Sequence, residues 1–91
     1  MLYPISFDVA PDGRFYVLDA GANRVYVFDA NRRYITHFGT KGAGPGQFDF
    51  GTWGLDDFGD PGFSGSIAVD DEGYIYVADD DQQQRVQVFA P

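Results

Sequence analysis

Apolar residues fall on consecutive positions at Tyr16-Val17-Leu18 and again at Tyr76-Val77-Ala78, which places apolar groups on both faces of a strand. Strands of this kind need cover on both sides. Arg24 to Phe28 (RVYVF) and Arg85 to Phe89 (RVQVF) alternate instead, with two valines on one face and Tyr26 or Gln87 on the other, the pattern of a half-buried or outer strand. The short turns Pro11-Asp12-Gly13 and Asp71-Glu72-Gly73 precede the doubly apolar strands. Their glycines suit the left-handed conformation of a tight hairpin. The pattern predicts strands near Ile5 to Ala10, Arg14 to Asp19, Arg24 to Asp29 and Tyr34 to Phe38, then near Ser66 to Val69, Tyr74 to Ala78 and Arg85 to Ala90. An all-β chain of about seven strands joined as meanders follows.

The two strand groups are one unit written twice. Phe7 to Phe28 and Ile67 to Phe89 match outright at Val9/Val69, Gly13/Gly73, Tyr16/Tyr76, Val17/Val77, Asp19/Asp79, Arg24/Arg85, Val25/Val86, Val27/Val88 and Phe28/Phe89. Repeated strand units need neighbours to cover their apolar faces, so a repeat array is implied. The first unit, residues 5–38, has four strands and the second, residues 66–90, has three. The strand that completes the second is expected outside this chain, and an uncovered edge is an aggregation liability. Gly13 and Gly73 are 60 residues apart, more than the ~40 to 50 residues of a propeller blade. The excess lies in residues 39–65, a glycine-rich stretch read as one long ordered connecting loop, since its aromatics argue against a disordered linker.

Composition narrows the partners. Six basic residues against fourteen acidic ones leave a formal charge of -8, a field that repels phosphate backbones and anionic head groups. Nucleic acid and membrane surfaces are therefore poor partners. Ninety-one residues without cysteine make one small domain, residues 1–91, with no disulfide staple and no thiolate ligand. The start Met1-Leu2-Tyr3-Pro4 lacks the basic and apolar regions of a secretory signal, and no apolar run reaches a membrane span. A soluble chain is expected; its compartment is left open.

At this point the residues resemble a known family. Ile67 to Phe89 (IAVDDEGYIYVADDDQQQRVQVF), followed back to the glycine-rich stretch Phe38 to Phe48 (FGTKGAGPGQF), is similar to the NHL repeat of β-propellers and its inter-blade linker. The first copy departs at Phe7-Asp8-Val9-Ala10 and at Leu18, and the insertion after Phe48 is longer than usual. The resemblance implies four-stranded antiparallel blades, two per chain, in a ring of six. Two blades cannot close a ring, so three copies of the chain, or the remainder of a longer propeller, are the implied partners.

Candidate chemistry is sparse. Asp19 with Arg24, and Asp79 with Arg85, are expected as structural ion pairs between second and third strands, because the pair recurs in each repeat. Asp79-Asp80-Asp81 and Asp70-Asp71-Glu72 cluster carboxylates of the kind that hold Ca²⁺, but without an EF-hand signature they read first as solvated turn acids. No cofactor is expected, Ca²⁺ being the one candidate. In the insertion Phe50, Trp53, Phe58 and Phe63 stand among Asp56, Asp57 and Asp60, a combination suited to a ligand surface for cationic or sugar-like groups or to packing between blades or subunits. His37, the sole imidazole, reads as structural. Lys41 is not followed by Ser or Thr, and no Gly-x-Ser-x-Gly elbow occurs, so neither a phosphate loop nor a serine nucleophile is indicated. The leading reading is a non-enzymatic scaffold or binding module. The alternatives are a portion of a metal-dependent six-bladed hydrolase or lyase, as the resemblance allows, and a truncated or engineered repeat with no evolved ligand.

Overall fold

The computed structural model describes residues 2–55, 61–79 and 85–91. Eleven strands form among them: β1 (Pro4–Val9), β2 (Phe15–Asp19), β3 (Arg24–Phe28), β4 (Tyr34–Phe38), β5 (Thr40–Lys41), β6 (Gln47–Phe48), β7 (Gly51–Leu55), β8 (Pro61–Phe63), β9 (Ser66–Val69), β10 (Ile75–Asp79) and β11 (Arg85–Phe89). β1 to β4 make a four-stranded antiparallel meander, and β9 to β11 make a three-stranded one with β10 in the middle. The hairpin turns before β2 and β10 are alike: Gly13 and Gly73 take φ of 91° and 89°, a region that favours glycine, and each donates its N–H to the carbonyl three residues back. Asp12 and Asp70 add side-chain caps within these turns.

Cross-strand register divides each sheet into two faces. In the first sheet Phe7, Val17 and Tyr26 share one face, while Tyr16 and Val27, and Leu18 and Val25, share the other. The second sheet repeats the division: Ile67, Val77 and Gln87 with Val69, Ile75 and Phe89 on one face, Ala68, Tyr76 and Val88 with Ala78 and Val86 on the other. The core joins unlike faces. Tyr16, Leu18, Val25 and Val27 from the first sheet bury together with Ile67, Ile75 and Val77 from the second, and Val69 and Phe89 pack against them. The innermost strands lie side by side, tied by the Ile67 N–H to Ser6 Oγ (3.2 Å) and the Val69 N–H to Asp8 Oδ2 (2.7 Å).

Residues 39–65, expected as a loop, contain four short strands. β5 and β6 pair in parallel within a compact linker, and β7 and β8 form an antiparallel hairpin. Two-residue strands and glycines leave no alternation to read, which is why the sequence pattern misses them. The hairpin is an insertion with a closed base: the Ser64 N–H donates to the Phe50 carbonyl at 2.7 Å. Taking out the thirteen residues 51–63 shortens the step from Gly13 to Gly73 from 60 to 47, an ordinary blade length. Gly51 stands at the root with φ of 114°, and a Cβ there would run into the Gly62 carbonyl. Close approach of the two hairpin legs demands glycine at this position.

Candidate functional site

The polar groups concentrate where the linker 39–50 meets the β2–β3 and β10–β11 ends of the sheets. Arg85, at the start of β11, donates to the carbonyls of Ala43 (2.7 Å) and Gln47, and its guanidinium lies 3.6 Å from Asp79 Oδ2. Gln87, on the same face two residues on, completes the dock. Its Nε2 donates to the Gln47 carbonyl at 2.8 Å and its Oε1 accepts the Gly46 N–H at 2.9 Å. Asp79 is fully buried and accepts the Asp49 N–H at 3.0 Å. From the other sheet Asn23, in a left-handed conformation with φ of 53°, accepts the Phe50 N–H at 3.1 Å. The linker is thus held from both blades.

Burial pushes the Asp79 carboxyl above its ordinary value, while the Asp49 N–H and the Arg85 guanidinium pull it down without cancelling the effect. Among the described residues, Asp79 Oδ1 and Arg85 Nε, both buried, have no hydrogen-bond partner. One guanidinium bridging a carboxylate and two carbonyls has the geometry of a clamp on backbone.

Asp19 and Arg24 are register partners but form no ion pair, a correction to the expected pairing. Among the described residues the ion pairs are Arg14–Asp12 and Arg85–Asp79. Asp19 is fully buried and its carboxylate accepts backbone N–H groups instead, from Leu2 (2.6 Å), Tyr3 (2.8 Å), Gly21 (3.1 Å) and Ala22 (3.3 Å). Four amide donors satisfy the oxygens that a guanidinium would have met.

The aromatic and acidic residues of the insertion separate. Phe50 is fully buried and stacks on Phe48 with centroids 5.1 Å apart, so it belongs to the core and not to an exposed ligand surface. Phe63 is partly buried against that core and meets Tyr3 ring to ring at 5.0 Å. Trp53 lies on β7. Asp56, Asp57, Phe58 and Asp60, like Asp80 and Asp81 of the acidic run, lie outside the described residues. His37 accepts or donates at Nδ1 to the Tyr34 hydroxyl at 2.6 Å and rests on Tyr26. Sequence reasoning missed Asn23, Gln47 and Gln87; the only signal was a glutamine in each of the linker and β11.

A second feature is an open concavity of about 580 Å³ lined by Asp70, Asp71, Glu72, Tyr74, Tyr76 and Val88. There burial pushes the Asp70 carboxyl up, but hydrogen bonds from the Tyr76 hydroxyl (2.9 Å) and the backbone of Tyr74, Glu72 and Gly73 outweigh it and hold the group below its ordinary value. The same bond raises the Tyr76 hydroxyl. Among the described residues no group of three or more histidines, cysteines or carboxylates is placed to hold a metal ion, and no helix is long and apolar enough to cross a membrane.

A four-stranded meander followed by a second meander of the same repeat, inner strand beside inner strand, defines blades of a β-propeller. A family described as a 6-bladed beta-propeller matches residues 8–52 of the chain. That stretch runs from the first inner strand through the linker to the root of the inserted hairpin. No curated protein matches the chain.

Proposed function

We propose that the chain is an NHL-type pair of blades acting as a non-enzymatic scaffold or binding module that completes a ring with further blades, in the simplest case two more copies of itself. The observation that carries this reading is an exchange of burial between equivalent positions. Val25 and Val27 are 0% and 5% exposed, whereas their equivalents Val86 and Val88 are 62% and 55% exposed. On the opposite faces the order reverses: Phe7 is 68% exposed and its equivalent Ile67 is 6%. The outward face of the second blade therefore repeats the face that the first blade buries, and the outward face of the first repeats what the second buries. Large exposed apolar faces mark interaction surfaces, and complementary unlike faces give a head-to-tail contact that closes a ring if the rotation permits.

Six blades from three chains agree with the six-bladed description of the matching family. The insertion between Phe50 and Ser64, closed at its base by the Ser64 N–H to the Phe50 carbonyl, has no counterpart in the repeated unit. This favours it as the element for recognising a ligand or partner. Light scattering across a range of concentrations tests the assembly. A particle of three times the chain mass, broken to a monomer by Val86→Glu, is the expected result; a folded wild-type monomer at every concentration overturns it.

A further inference from the structure

The two blades differ at one buried hydroxyl. Their inner hairpin turns share a backbone, since Ala10 and Asp70 donate to the carbonyls of Arg14 and Tyr74 and accept the N–H groups of Gly13 and Gly73. Tyr16 and Tyr76 are equivalent as well, opposite Val27 and Val88 on one side and Asp8 and Ala68 on the other. In the second blade the Tyr76 hydroxyl donates to Asp70 Oδ2 at 2.9 Å. In the first, Ala10 stands where that carboxylate would be. Tyr16 is 4% exposed, and among the described residues its hydroxyl has no hydrogen-bond partner. Nor is the oxygen sealed in the core. It opens on a crevice of about 140 Å³ between the blades, walled by Ala10, Asp12, Arg14 and Tyr16 of the first and by Asp71 and Glu72 of the second.

We propose that this crevice binds a small amino alcohol, a primary ammonium and a hydroxyl joined by a short carbon chain. Size sets the first limit: at ~30 Å³ for each water the space holds a handful of waters or one molecule of that bulk. Charge sets the second. Asp12 is closed on Arg14 at 3.3 Å, whereas the Asp71 and Glu72 carboxylates enter no ion pair or hydrogen bond among the described residues. Two uncompensated carboxylates beside a partly desolvated space favour a cation. The buried phenol asks for an acceptor, because an unpaired donor in the interior is costly; the ligand hydroxyl takes the part that Asp70 takes in the second blade. The Ala10 methyl and the Tyr16 ring face the carbon chain. A bare Ca²⁺ ion, which wants oxygen on all sides, would be left against those apolar groups. Both walls belong to one chain, so the site is the same in a monomer and in a ring.

The probe is ethanolamine hydrochloride, titrated at constant ionic strength into the full chain labelled with nitrogen-15 and followed by amide chemical shifts. Ethylamine, which lacks the hydroxyl, and ethylene glycol, which lacks the charge, are titrated alongside. Saturable shifts at the Ala10, Asp12 and Gly73 amides are expected in the millimolar range, as suits so few atoms. Ethanolamine should bind roughly fivefold tighter than ethylamine, the effect of one neutral hydrogen bond, and ethylene glycol should not saturate. Tyr16→Phe keeps the ring in the core and removes only the hydroxyl. It should leave ethylamine binding unchanged and abolish the preference for ethanolamine, a result that a purely structural tyrosine would not give. Asp71→Asn combined with Glu72→Gln should weaken both amines by roughly tenfold. Shifts that rise linearly with all three probes, the sign of a crevice holding water only, overturn the inference. A preference for ethanolamine that survives Tyr16→Phe overturns it equally.

Discussion

Arg85 reaches back 38 residues to donate to the carbonyl of Gln47, so the last strand holds the linker that leads into its own blade. The interaction is between a charged donor and a partly buried backbone acceptor, in the range of roughly 1.5–3 kcal/mol for a charged hydrogen bond. Arg85→Ala is expected to cost about 2 kcal/mol in urea unfolding. Arg85→Lys should recover only part, because an ammonium cannot span the Ala43 and Gln47 carbonyls and Asp79 as the planar fork does.

The strands of both blades were legible because two patterns coincide there: period-two alternation and an internal repeat that marks the same turn glycines twice. Asp19 was misread for a physical reason. A recurring Asp and Arg in register look like an ion pair in both blades, but nothing in the spacing says that the Leu2 and Tyr3 amides arrive first at one carboxylate. Burial of Phe50 was hidden likewise, since its neighbours Asp49 and Gly51 belong to a linker end and a hairpin root that only the fold brings together. The hairpin's first leg, Gly51–Leu55, carries two glycines, Gly51 and Gly54, and too little alternation to register as a strand.

Phe50 is the residue whose role changes most between the two views. As a core residue stacked on Phe48, its truncation leaves a cavity among fully buried neighbours. Phe50→Ala should destabilise the protein by roughly 3–5 kcal/mol, the usual cost of deleting a buried phenylalanine. Thermal unfolding decides: a melting temperature equal to wild type would place the ring outside the core.

The closed base of the insertion makes a separate prediction about Trp53. If the hairpin is a recognition element grafted on a complete blade, Trp53→Ala leaves the mass of the assembled particle unchanged and alters only what the particle binds. Loss of assembly in that variant would show that the hairpin serves packing between blades. A shortened chain in which Phe50 is joined to Ser64 extends the same test. It should retain the far-ultraviolet signature of the wild type and lose on the order of 1–2 kcal/mol, mostly from the Phe63 contact.

Asp79 ties stability to pH with a sign opposite to that of an ordinary paired carboxylate. Its folded pKa is raised above 3.8, chiefly by burial, so the folded state binds a proton more readily than the unfolded chain does. Stability from this group is therefore absent well above the folded pKa, is gained as pH falls through it, and is complete once pH is below the unfolded value. Asp79→Asn removes the titration while keeping an oxygen to accept the Asp49 N–H. The melting temperature of wild type relative to that variant should rise as pH is lowered across the mildly acidic range toward 3.8. A difference that stays constant, or that falls on acidification, would mean that Arg85 dominates the environment of Asp79 and that the clamp on the linker is an ion pair first and a backbone grip second.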